Sequence, residues 1–183
     1  MTEPAGPMKQ QRLSANADEA LEQMMKLYGT KVLRTAYFYT GDRHLAEDVS
    51  QETFIRAYRG WAKFRGGSSV LTWLIRIAVN VCKDKLGLKM SAEQPTDPVT
   101  LEGGATWHVE DDALGRLTSS EVLQYVLALQ LPYREVLHLY YYLDMTTREI
   151  AEALAAPEGT IRARLHRARE LLGQMMTKEE LGI

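Results

Sequence analysis

Four arginines and a histidine crowd one stretch near the C-terminus: Arg162, Arg164, His166, Arg167 and Arg169. An arginine fork pairs with guanine edges and with phosphate oxygens, so such a stretch suits nucleic-acid recognition if a helix presents it. Residues 146–172 read TTREIAEALAAPEGTIRARLHRARELL. Thr146 and Glu149 have the T-x-x-E spacing of a capping box, which predicts a short helix with Ile150, Ala151 and Leu154 facing inward. Pro157-Glu158-Gly159 is a tight break. A second helix, from Gly159 to about Met176, would bury Ile161, Leu165, Ala168 and Leu172. Two such helices form a helix-turn-helix, whose second helix can enter a major groove. At about 100° per residue, Ala163, His166 and Arg167 point away from the core, with Thr160 and Arg162 on the flanks. Groove-entering helices offer their N-terminal residues to the bases. Arg162, Ala163, His166 and Arg167 are therefore expected near base edges, and Arg164 and Arg169 on phosphates. The competing reading is a helical hairpin with a solvated basic face.

Two further groups stand in the first half. Asp48, Gln51, Glu52 and Ile55 fall at i, i+3, i+4 and i+7 on one side of a helix. Spacing alone reads them as a solvated face. Tyr58, Arg59, Trp61, Lys63, Phe64 and Arg65, followed by Trp73, Arg76, Asn80 and Lys83, mix aromatic and basic side chains. That mixture holds single-stranded DNA by stacking and phosphate contact. Trp61 and Trp73 also sit at apolar-periodic positions, where core packing explains them. His108, Glu110, Asp111 and Asp112 lie in an acidic stretch and read as solvated rather than as a metal site. The single cysteine, Cys82, rules out an internal disulfide and a multi-cysteine zinc site, and reads as inert packing. There is no Gly-rich phosphate loop, H-E-x-x-H or G-x-S-x-G, so neither an enzyme nor a cofactor is indicated.

The elements that must position these groups are helical. With 183 residues, 45% of them hydrophobic, the chain can build two small cores. Residues 1–17 read as a flexible arm. A helix capped near Asp18 runs through Leu21, Met24, Met25, Tyr28, Val32 and Ala36, with Gly29 inside it. Gly41 stops it and Asp42 caps the next, which carries Leu45, Val49, Thr53, Ala57 and Trp61. After Gly66-Gly67-Ser68-Ser69, a helix over about Val70 to Lys85 is apolar almost all round. Residues 90–117 hold Pro95, Pro98, Gly103 and Gly104 and no helical period, and read as a flexible linker. Helical patterning returns at Ser119 and Ser120, and Leu131-Pro132 starts a helix to about Leu143. The expected fold is all-α. A three-helix N-terminal domain (18–89) and a helix-turn-helix C-terminal domain (118–183) flank the acidic linker.

Charge follows the same division. The net charge is only −2. Residues 31–89 hold eleven Lys/Arg against five Asp/Glu, residues 90–121 one against seven, and residues 159–173 four against one. Two basic segments around an acidic one suit two surfaces that face a polyanion. No signal-peptide-like run and no 18-residue apolar window occur, which points to a cytoplasmic protein without membrane insertion.

AEDVSQETFIRAY, then F-R-G, then TWLIRIAVNVCKD resemble the second conserved region of extracytoplasmic-function (ECF) sigma factors. LPYREVLHLYYYLDMTTREIAEALAAPEGTIRARLHRARELL resembles their fourth region. The two blocks cover about 130 residues in the family's order. The resemblance implies a non-enzymatic initiation factor that acts as one copy per RNA polymerase holoenzyme. It implies that the helix bearing Glu47, Asp48, Gln51, Glu52 and Ile55 docks on the clamp helices of the polymerase's largest subunit. Lys63, Phe64, Arg65, Arg76, Asn80 and Lys83 would read and help melt the minus-ten promoter element. Thr160 to Arg167 would enter the major groove of the minus-thirty-five element. The acidic linker would run toward the active-site and RNA-exit channels, and an anti-sigma protein would hold the factor inactive. The sequence departs from the family after Asp84, where Lys85-Leu86-Gly87-Leu88-Lys89 replaces the frequent paired arginines. It departs again at Ala155-Ala156-Pro157, where a polar cap is more usual. A free-standing helix-turn-helix regulator would account for residues 146–172 but not for the first 89.

Overall fold

A computed structural model describes residues 13–87 and 121–180. Among these residues every regular element is helical. Helix α1 (Ala17–Thr40) is capped two residues before the expected position. Asn16, not Asp18, accepts the first free amides, from Asp18 at 2.8 Å and Glu19 at 3.3 Å. An Asn side chain at this position satisfies donors that have no partner within the helix, and the freed Asp18 lies in the first turn, where the helix dipole favours it. Gly41 closes α1 at φ 65°, a left-handed conformation that glycine adopts without penalty. Asp42 accepts from the Leu45 amide at 2.7 Å and opens α2 (Arg43–Gly60). The chain tightens into a 3₁₀ turn over Trp61–Lys63, and Ser69 caps α3 (Val70–Lys85) through the Thr72 amide at 3.0 Å.

These three helices pack on one another. Met24, Val32, Phe54, Ala57, Leu74 and Ala78 form a core at the end of the bundle near the chain start. In the C-terminal half, α4 (Glu121–Ala128) and α5 (Leu131–Leu137) precede a π-helical turn over His138–Tyr142. There the Leu143 amide reaches back five residues to the His138 carbonyl at 3.3 Å. Helices α6 (Thr147–Leu154) and α7 (Glu158–Glu180) complete the chain's described part. Ile150 and Ile161 are fully buried between them. Truncating either to alanine would cost about 2–5 kcal/mol.

The sequence suggests two separate cores, whereas the second core of the structure is continuous across both halves. Ala36, Val49, Ile75 and Val79 belong to the same buried cluster as Val136, Leu139, Ile150 and Ile161. Helix α3 packs directly on α6. This explains why α3 is apolar nearly all round: one side faces α1 and α2, and another faces the C-terminal half. The expected linker, residues 90–117, lies outside the described residues.

Candidate nucleic-acid interface

The helix-turn-helix forms as its sequence suggests. Thr146 accepts from the Glu149 amide at 3.2 Å, and Glu149 accepts from the Thr146 amide at 2.9 Å, so both halves of the capping box are made. Ala155 ends α6 at φ 52°, a left-handed alanine where glycine would be unstrained. Helix α7 starts at Glu158, one residue before the expected Gly159. Glu158 clips the turn. Its Oε1 accepts from the Thr147 hydroxyl and from Arg162, each at 2.7 Å. The Thr147 bond, then the Arg162 bond, holds its carboxyl below the usual carboxylate range.

Ile161, Leu165 and Ala168 are buried as expected, and Leu172 is half-buried. Arg162, Ala163, His166 and Arg167 are exposed along one side of α7, and Thr160 is half-buried. Among the described residues, Arg162 pairs with Glu158, and Arg167 and His166 pair with Glu170. Such exposed pairs exchange easily for a phosphate or a base. Two arginines behave differently. Arg164 turns inward, its side chain 32% exposed, to the buried carboxylate of Glu135 at 3.5 Å. Arg169 donates to the Tyr141 hydroxyl at 2.9 Å and lies over the rings of Tyr140 and Tyr141. Arg148, which sequence reasoning did not single out, is exposed at the start of α6 and near enough to act on Glu158. Its signal was simply a base two positions after the capping threonine.

The α2 group forms a charged outer face. Asp48, Gln51 and Ile55 are exposed, and Glu47 and Glu52 half-buried. Glu47 pairs with Arg43 at 3.1 Å and Glu52 with Arg56 at 2.7 Å, while Arg56 also reaches Asp84 at 3.2 Å. Lys85 lies 4.0 Å from Asp48. Hydrogen bonding to Arg56 lowers the Glu52 pKa. The face is a carboxylate strip around the 45% exposed Ile55, each carboxylate facing a cation of the same surface.

In the third group the aromatic residues split from the basic ones. Phe64 stacks on Trp61 at 5.3 Å between centroids and lies 4.8 Å from Trp73. The Trp61 indole N–H donates to the Ser14 carbonyl at 3.1 Å. A Cβ on Gly60 would stand 3.3 Å from the Trp73 ring, so glycine permits this close seating. The trio therefore braces the 61–69 loop, as the core reading of Trp61 and Trp73 anticipates. Lys63 and Arg65 project from that loop, and Arg76 and Asn80 are exposed one turn apart on α3, with Lys83 half-buried beyond them. Cys82 is fully buried, and burial pushes its thiol up to about 12, so it is unreactive. Among the described residues, no three His, Cys, Asp or Glu are placed to hold a metal ion, and no helix is long and apolar enough to cross a membrane.

Residues 24–88 match the family model for Sigma-70 region 2, and residues 119–172 match that for Sigma-70 region 4. The chain is 32% identical to the ECF RNA polymerase sigma factor SigW of Bacillus subtilis, over 86% of this chain and 89% of the relative. The chain belongs to the ECF sigma factors of the sigma-70 family. It is also 32% identical to the RNA polymerase sigma-H factor of Pseudomonas aeruginosa, over 91% of each chain. The fold is that of sigma factor RpoE in its co-crystal structure with the anti-sigma factor NepR from Bartonella quintana. That likeness has a TM-score of 0.67 at 22% identity, covering 85% of this chain and 96% of that one. A structure of CnrH in complex with the cytosolic domain of CnrY is similar at a TM-score of 0.64 and 22% identity, over 87% and 89%. In sigma-factor terms α1 to α3 carry region 2, and α4 to the middle of α7 carry region 4.

Proposed function

We infer that this ECF sigma factor binds core RNA polymerase and directs promoter-specific transcription initiation. The observation that carries the reading is the pairing, in one chain, of two unlike surfaces. One is a helix-turn-helix with Arg162, His166 and Arg167 exposed; the other is a braced loop and helix presenting Lys63, Arg65, Arg76 and Asn80 beside the carboxylate face of α2. The helix-turn-helix suits duplex DNA in the minus-thirty-five element. The loop and α3 suit a strand being separated in the minus-ten element, with phosphate contacts from Lys63, Arg65, Arg76 and Lys83. Phe64 acts there as a brace for the loop, since it is committed to Trp61 and Trp73. Glu47, Asp48, Gln51, Glu52 and Ile55 form the docking face for the clamp helices of the largest polymerase subunit. The residues 18–89 and 118–183 are the two working regions, with the acidic segment between them directed into the polymerase.

An anti-sigma protein is a fitting regulator, because the structural relative RpoE was solved in complex with the anti-sigma factor NepR. A free-standing regulator would leave the α2 face and the 61–69 loop without a role. The test is binding to core polymerase by the intact chain and by the double variant Asp48→Lys, Glu52→Lys. Charge reversal on a docking face changes association rate and affinity. The variant should bind about tenfold more weakly or worse. Equal affinity would remove α2 from the interface.

A further inference from the structure

The two regions meet through a specific polar and aromatic contact. His138, in the π-helical turn, is sandwiched between Phe38 of α1 at 4.3 Å and Tyr142 at 5.0 Å between centroids. Its Nε2 lies 3.1 Å from the Thr35 hydroxyl, whose own proton goes to the Lys31 carbonyl. Nε2 therefore donates, and the ring is the neutral Nε2–H tautomer. Around it Arg34 donates to the Tyr142 hydroxyl at 2.6 Å, and the Tyr39 hydroxyl donates to Glu135 at 2.8 Å. Glu135 in turn holds Arg164 of the recognition helix.

We propose that this contact is an acid-sensitive latch that holds regions 2 and 4 closed on each other, with His138 as the group whose protonation releases it. The need to open rests on the sigma-factor reading. Elements centred at minus ten and minus thirty-five are about 25 base pairs apart, or about 85 Å along B-DNA. A chain of this length packed around one core is about 40 Å across. The closed form cannot span both elements, so the faces of α1 and α5 must part.

The geometry makes the latch sensitive to protons. Every charged group near the imidazole either opposes a second proton or is engaged. From α1, Arg34 lies against Tyr142. From α5, Arg134 lies over the Phe38 ring, its Nε buried without a partner. Glu135 is turned to Tyr39 and Arg164. From α3, Cys82 is close enough to act on Tyr39. Burial pushes His138 down to about 3. Once opened, it returns to an ordinary imidazole near 6.5. The closed form thus binds fewer protons than the open one. Its advantage is complete above about pH 6.5 and is lost as pH falls below it. Between pH 8 and pH 5 the closed-to-open ratio should fall about thirtyfold.

The experiment is energy transfer between dyes on Lys26→Cys and Gln174→Cys, exposed positions on α1 and α7 outside both binding faces, in the full chain without polymerase or DNA. The wild-type background should show one short distance at pH 8 and a growing long-distance population toward pH 5. His138→Phe, which keeps the stack but cannot be protonated, should remain short at pH 5. Phe38→Glu should be long at pH 8 with its helical circular dichroism retained. A wild-type distance that does not change between pH 8 and pH 5 overturns the latch, as does His138→Phe opening at the same pH as wild type. Because neither polymerase nor promoter is present, failure here leaves the sigma-factor reading standing, and failure of that reading leaves the latch measurable.

Discussion

Arginines of one helix divide by what already holds them. Arg162 and Arg167 are exposed and paired only with neighbours one turn away, so DNA can claim them. Arg164 is held by Glu135, a buried carboxylate, and moving it to a phosphate would leave that carboxylate with the Tyr39 hydroxyl but without this cation. Arg169 is already seated on two tyrosine rings, which orient it without burying its charge. Arg162→Ala or Arg167→Ala should each cost roughly 1–3 kcal/mol on the preferred promoter and flatten preference at one or two upstream positions. Arg169→Ala should weaken all sequences alike. A promoter library randomised in the upstream element, read by binding, separates these outcomes. Equal loss on every member from the Arg162 and Arg167 changes would move the base-reading face elsewhere. The split among these residues was only partly legible beforehand. Helical phase gave the exposed side of α7, but Arg164's partner lies 29 positions away and no local spacing announces it.

At the scale of elements, α6 is fixed from both ends with opposite quality. Its start has a complete capping box, whereas its end forces Ala155 into a left-handed conformation. Thr146→Ala should therefore destabilise the protein by about 1 kcal/mol. Ala155→Gly should stabilise it by about 1 kcal/mol, because relief of the left-handed strain outweighs glycine's extra freedom when unfolded. Thermal unfolding of both variants checks the signs; a destabilised Ala155→Gly would mean that the turn is not left-handed there. The caps Asp42, Ser69 and Thr146 were legible because each is a short polar side chain ahead of an apolar period. The first cap was not, since Asn16 and Asp18 are both competent and only tertiary placement chose between them. Nor was the π-helical turn, whose extra residue places His138 and Tyr142 against α1 and leaves no local pattern of its own.

At the scale of the whole molecule, a chain with net charge −2 still offers basic surfaces, because charge is uneven along it: residues 31–89 and 159–173 hold an excess of Lys/Arg, and residues 90–121 an excess of Asp/Glu. The all-helical architecture and the exposed side of α7 followed from periodicity, whereas the roles of the α2 face and the 61–69 loop came from the family resemblance and not from spacing. The packing of α3 on α6 did not: an apolar helix says that it is covered, not by which partner. The account's central claim is that these surfaces select promoters for core polymerase. The direct measurement is to map transcript start sites from genomic DNA with core polymerase alone and with the purified chain added. The account predicts a small set of new starts, each preceded by the same two sequence elements at a fixed spacing. A start-site profile unchanged by the added chain would contradict it.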